Sequence, residues 1–173
     1  TSGSFVDGLE GERALVEAML HAGAPAATTT SGALVDALRH LGARRVAVAT
    51  PYDETVTFRL EAFLAEAGIE VSGTASLGRT GGIWQVGLEE TAALVRAAAT
   101  TPCDAVFVSC TNLRTYDLVG PLERELGVPV LTANQVTMWA LAALTGMRAR
   151  GPGQRLLDAR RGRRRDQGLI SGA

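Results

Sequence analysis

Lysine is absent from this chain of 173 residues: all 17 basic side chains are Arg, a bias of coding composition from which no function follows. Histidine and cysteine occur twice each. His21 and His40 are far in sequence from Cys103 and Cys110, and neither Cys-x-x-Cys nor His-x-x-x-His spacing occurs, so no metal site is expected. No apolar run has the length of a membrane span or the form of a secretory leader. Two cysteines without a leader point to thiols in a reducing cytoplasm rather than to a disulfide. No Gly-x-Gly-x-x-Gly follows a strand. Gly78, Gly81 and Gly82 lack that spacing, so no dinucleotide cofactor is expected, nor any other cofactor.

What is present is a 46% hydrophobic sequence, long enough for one substantial domain or two small lobes. Charge is unevenly placed. Residues 148–173 carry eight Arg against Asp158 and Asp166, a net +6, which leaves −7 on residues 1–147. A Gly- and Arg-rich end without apolar periodicity reads as a solvated, disordered extension, and neither nucleic acid nor a membrane is expected as partner.

Apolar periodicity orders the chain. A helix is predicted over residues 8–21, with Ala14, Leu15, Ala18 and Met19 on one face and Gly23 as its stop. Residues 25–31 read as a short strand running into a polar cap, and residues 32–41 as a helix burying Leu34, Val35, Leu38 and Leu41. A strand over 45–50 is followed by the turn Pro51-Tyr52-Asp53-Glu54 and a helix to about residue 67. Asp53 and Glu54 occupy its first turn, as the helix dipole favours. A strand over 70–76 leads into a glycine-punctuated loop, 77–87, holding Ile83 and Trp84. This loop reads either as a lid over a crevice or as a segment tucked against the sheet by its Trp. A helix over 88–100, a strand over 105–108, a helix over 113–126, a strand over 127–132 and a helix over 134–146 complete the pattern. Alternation of this kind predicts a doubly wound parallel α/β sheet with right-handed crossovers, four of the five strands forming one four-stranded lobe within residues 32–132.

The stretch that carries chemistry is Ala105 to Thr115. A buried strand breaks off into Ser109-Cys110-Thr111-Asn112, small polar residues suited to cap a helix starting near Leu113. In α/β proteins this end of the sheet is where ligands bind. Free Cys is commonly a small buried hydrophobe, and Cys103 fits that description or sits in a loop. Cys110 is set apart by its polar neighbours. At a helix N-terminus a thiol is biased towards thiolate, and the backbone N–H groups of Thr111 and Asn112 are placed to hold a carboxylate or an oxyanion.

With these residues in view, the chain resembles the aspartate/glutamate racemase superfamily, in its maleate cis-trans isomerase and arylmalonate decarboxylase branch. Ser109-Cys110-Thr111-Asn112-Leu113-Arg114-Thr115 is similar to the branch's second-cysteine motif, in a form associated with isomerase-like proteins of ectoine utilisation. Val46 to Tyr52 is similar to the strand and tyrosine that reach the substrate carboxylate. Thr28-Thr29-Thr30-Ser31 is similar to the segment joining two lobes. The opening resembles the first active-site loop, where a Cys, or Gly in decarboxylases, directly precedes a pair like Thr1-Ser2. That resemblance implies an N-terminal truncation.

The resemblance further implies a remnant of a first α/β lobe over residues 1–31, a second lobe over 32–132, a helix over 133–147 returning to the first lobe, and the Arg-rich tail over 148–173. It implies a cofactor-independent isomerase or racemase of the maleate isomerase kind. Such an enzyme works at the α-carbon of a small mono- or dicarboxylic acid through cysteine acid/base or nucleophilic chemistry. Cys110 is then catalytic, and Thr1, Ser2, Tyr52, Thr111 and Asn112 bind substrate. Decarboxylation of an arylmalonate, with Cys110 as proton donor, is one alternative, and the stretch 77–82 looks closer to the decarboxylase form. A non-catalytic carboxylate-binding protein of the same fold is the other. A small carboxylic acid is the expected partner, a homo-oligomer is left open, and a fragment without its first half-lobe is expected to be inactive.

Overall fold

A computed structural model of the chain describes residues 2–151 and 153–158. Its four strands, β1 (Arg45–Tyr52), β2 (Glu70–Arg79), β3 (Ala105–Val108) and β4 (Val130–Thr132), form one sheet of order β2-β1-β3-β4. Every pairing is parallel. From Val46 to Tyr52 each residue of β1 is buried, and so are all residues of β3 and β4. Consecutive burial in a strand requires cover on both faces, which is why these segments read as unbroken apolar runs instead of alternating ones. The edge strand β2 is the partly exposed exception.

Helices α1 (Gly8–His21), α2 (Thr30–Leu41), α3 (Glu54–Glu66), α4 (Leu88–Ala98), α5 (Tyr116–Leu126) and α6 (Ala133–Leu144) surround the sheet, and a short α7 (Arg155–Asp158) follows. Phe63, Leu34, Leu38, Leu60, Val46, Phe107 and Leu131 form the centre of the core, each at most 1% exposed. Where α4 ends, it passes so close to β2 that a Cβ on Gly73 would lie 2.5 Å from the Ala98 carbonyl oxygen, so this strand position requires glycine. Among the described residues no helix is long and apolar enough to cross a membrane.

Four sequence expectations need correction. Residues 25–31 form no strand. Thr29, the N-cap of α2, accepts a 2.9 Å hydrogen bond from the Gly32 N–H, and helix begins at Thr30. Capping prevails there because no described strand is available to pair with the segment. Next, β1 continues through Pro51 to Tyr52. Proline is tolerated in this central strand because the register shifts between Thr50 and Tyr52 and the paired part of β3 ends opposite Ala49. Third, β2 runs to Arg79, which shortens the following loop to a segment containing one 3-10 turn, Ile83–Gln85.

The fourth correction concerns the expected disordered tail, which is docked as far as Asp158. Leu156 is fully buried and Gln154 is buried with it. Glu123 accepts from the Arg155 N–H at 2.9 Å, and the Arg155 guanidinium donates to the Gly127 carbonyl at 2.6 Å. Composition hid this because one buried leucine and a few hydrogen bonds hold the segment, not a periodic apolar face. Residues 159–173 lie outside the described residues.

Candidate active site

The carboxyl ends of β1, β3 and β4 bring the candidate residues to one edge of the sheet. Val108 pairs with Ala49 on one side and with Thr132 on the other. The Ser109 N–H donates to the Ala49 carbonyl at 2.9 Å, one residue beyond the end of β3. Cys110 then turns the chain sharply. It is the one non-glycine residue at positive φ among those described, at 88°. L-residues avoid this region because Cβ crowds the backbone, so the surroundings must hold the turn in place. A weak 3.4 Å bond from the Leu113 N–H to the Cys110 carbonyl closes it.

The helix expected at Leu113 starts only at Tyr116, after Thr115, which makes no side-chain cap bond. Cys110 is therefore separated from the helix by the five residues 111–115. The residue is 7% exposed and belongs to the core cluster.

Tyr52 stands beside this turn. Ser109, fully buried, donates from Oγ to the Tyr52 hydroxyl at 3.4 Å. The Tyr52 ring packs against Phe5, with centroids 6.2 Å apart and planes inclined at 55°. Phe5 ends a tight N-terminal turn in which the Ser2 carbonyl accepts from the Phe5 and Val6 N–H groups. Ser2 is thus carried to the same end of the sheet as Tyr52 and Cys110, and Ser4 ties the turn to α2 through a 2.7 Å hydroxyl pair with Ser31. Below Tyr52, Thr50 and Thr57 share a buried 2.6 Å hydroxyl hydrogen bond that fixes β1 to α3. Thr1 lies outside the described residues.

Thr111 and Asn112 are exposed and face a cavity of about 710 Å³ that is also lined by Arg114, Asn134, Met138 and Gln154. Neither Cys110 nor Tyr52 lines it. The candidate residues therefore divide: Thr111 and Asn112 face this cavity, whereas the buried Cys110 and Tyr52, the latter joined to Ser109, do not. The sequence reading passed over Asn134, whose Nδ2 donates to the Thr111 carbonyl at 3.0 Å. Its signal was positional, an Asn two residues beyond the strand next to β3.

The family model for arylmalonate decarboxylase matches residues 1–157. The chain belongs to the arylmalonate decarboxylase family. It is 41% identical over 165 residues to an arylmalonate decarboxylase of Bordetella bronchiseptica, covering 91% of this chain and 68% of that protein. It is 35% identical over 127 residues to a maleate isomerase of Nocardia farcinica, covering 70% of this chain and 50% of that enzyme. The chain thus spans about half the length of the maleate isomerases it matches. A liganded crystal structure of an arylmalonate decarboxylase variant superposes with a TM-score of 0.84 at 38% identity, covering 91% of this chain and 70% of that one. A Nocardia farcinica maleate isomerase variant bearing a covalently bound succinylcysteine intermediate gives a TM-score of 0.76 at 29% identity, over 89% of this chain and 66% of that one. The expected superfamily, branch and fold are all met by these relatives. The family is one of enzymes.

Proposed function

We propose that the complete protein isomerises or racemises a small carboxylic acid at its α-carbon, with Cys110 as the acid/base or nucleophilic thiol. The observation that carries this reading is the strained turn placing Cys110 at the carboxyl end of β3, one residue from the Ser109–Tyr52 contact. Related structures support it, since one maleate isomerase holds a succinyl group on cysteine.

The chemistry explains why these residue types belong there. A proton α to a carboxylate is very weakly acidic, and its removal leaves a dianionic enediolate. Donors aimed at that charge before it forms lower the barrier, each contributing about 10²–10³ in rate. The Tyr52 hydroxyl, the hydroxyls of Thr1 and Ser2, and the backbone N–H groups of Thr111 and Asn112 are the donors this chain offers. In a racemisation one thiolate takes the α-proton and a second group returns a proton to the opposite face. Addition of a thiolate to one carbon of the maleate double bond instead moves its electron pair into an enediolate at the other; the resulting single bond rotates, and expulsion of the thiolate re-forms the double bond as fumarate.

Decarboxylation of an arylmalonate is the second reading, favoured by the 41% identity to a decarboxylase. Loss of CO₂ leaves the same enediolate, and Cys110 gives it the proton. The test is turnover by the complete protein, with maleate followed by NMR and a disubstituted arylmalonate followed by CO₂ release. Cys110→Ser is expected to reduce whichever reaction is found by at least about 10²-fold, the scale of a positioned acid/base group. Full activity in that variant would assign the chemistry elsewhere.

A further inference from the structure

We infer that Asn134 is a positioning residue that aims the Asn112 N–H at the substrate carboxylate. This rests on the reading of the Cys110 turn as the active site, and it adds a residue that lies in another element, α6.

The peptide between Thr111 and Asn112 lies in the turn that follows Cys110. It is planar and trans, so its C=O and N–H point in opposite directions, and fixing one fixes the other. The Asn134 side chain, second residue of α6, donates to that C=O at 3.0 Å. Asn134 follows β4, and β3 lies between β4 and β1. With that carbonyl held by Asn134, the Asn112 N–H is fixed in the opposite direction, away from the Asn134 side chain. One side chain thereby decides whether this peptide presents its N–H or its C=O on the side away from Asn134.

The turn needs such an anchor. Its own hydrogen bond is long, 3.4 Å from the Leu113 N–H, and Cys110 is held at φ 88°. A reversed 111–112 peptide would aim a carbonyl oxygen at a carboxylate and repel it. The anchor is itself rigid, because Thr132 caps the first turn of α6 by accepting from the Gln135 N–H at 3.2 Å. Asn134 is exposed and outside the core, so its removal leaves the packing untouched.

The test uses the complete protein, with malonate as a small dicarboxylate probe and the Asn112 amide followed by NMR. Malonate is expected to shift this resonance in the wild type. In Asn134→Ala the shift should be lost, with an unchanged melting temperature and a kcat lowered about tenfold or more while KM moves little, part of the 10²–10³ of a lost donor. A shift of equal size in Asn134→Ala would overturn the role of Asn134. Absence of any shift in the wild type would overturn the role of the Asn112 N–H. Cys110→Ser, measured in parallel, separates the two claims. An active Cys110→Ser sinks the active-site reading, whereas an inactive one beside a fully active Asn134→Ala sinks this inference alone.

Discussion

Cys110 shows what a single residue costs the fold. A non-glycine residue held at φ 88° carries strain of about 1–3 kcal/mol, which glycine would relieve. Cys110→Gly is therefore expected to stay within about 1 kcal/mol of wild-type stability in urea unfolding, since relief of strain offsets the lost thiol contacts. It should nonetheless abolish the proposed chemistry. Glu123 is a second costly residue. It is 2% exposed, and its two oxygens accept from the Val130 and Arg155 N–H groups at 3.0 and 2.9 Å, joining α5, β4 and the C-terminal segment. Burial raises its pKa above the ordinary Glu value, outweighing the two N–H bonds and the Arg155 charge, with Asp158 raising it further. The folded state then binds the proton more tightly than the unfolded chain does. Stability from this group is full below the ordinary Glu pKa and is lost as pH rises through the raised folded value. Glu123→Gln should remove that component of the pH profile in urea titrations. It should also cost about 1–3 kcal/mol near neutral pH, because the amide NH₂ would confront a backbone N–H.

At the scale of elements, the periods of 3.6 and of buried runs made α1, β1, β3 and the doubly wound order legible in advance. The errors lie where a polar contact decides a boundary. Thr29 illustrates this: it accepts from the Gly32 N–H at 2.9 Å and donates to Glu12 at 2.7 Å, so one hydroxyl starts α2 and ties it to α1. The same Thr-rich stretch has good strand propensity, which is why a strand was expected. Thr29→Ala should cost about 1–2 kcal/mol, the range of lost N-caps, with amide exchange rising at the start of α2 and along α1. The start of α5 was misplaced for a related reason. The small polar residues after β3 have cap chemistry, yet the strained Cys110 and the Asn134 anchor spend them on a turn. Of the candidate site, the strand end that Cys110 follows was readable. The division between the Tyr52 side and the cavity side was not, because it depends on which carbonyl Asn134 holds, a contact 23 residues apart in sequence.

The whole molecule is unevenly covered. Around the sheet, side chains are buried on both faces, but α1 has no buried residue along its 14 positions. Leu15, Met19 and Leu20 of α1 are 37–44% exposed, and Met138, Leu141 and Leu144 of α6 are 42–60% exposed. Helix α6 packs along α2, whereas α1 rests on α3 and reaches only the N-cap of α2, through the Glu12–Thr29 hydrogen bond. Monomers seldom expose contiguous apolar surface beyond a few hundred Å². We propose that these faces are where the first lobe packs in the complete protein, consistent with a chain spanning 68% of the related decarboxylase and 50% of a related maleate isomerase. Replacing Leu20 and Leu144 by Ser distinguishes a covered face from a free one. In the isolated 173-residue chain the pair should cost little, within about 0.5 kcal/mol each as for ordinary surface changes, and should reduce binding of a hydrophobic dye. In the complete protein the same pair should cost several kcal/mol, as burial of each leucine side chain contributes about 1.5–3 kcal/mol. Equal and small costs in both would show that the two faces stay in water and would overturn this packing.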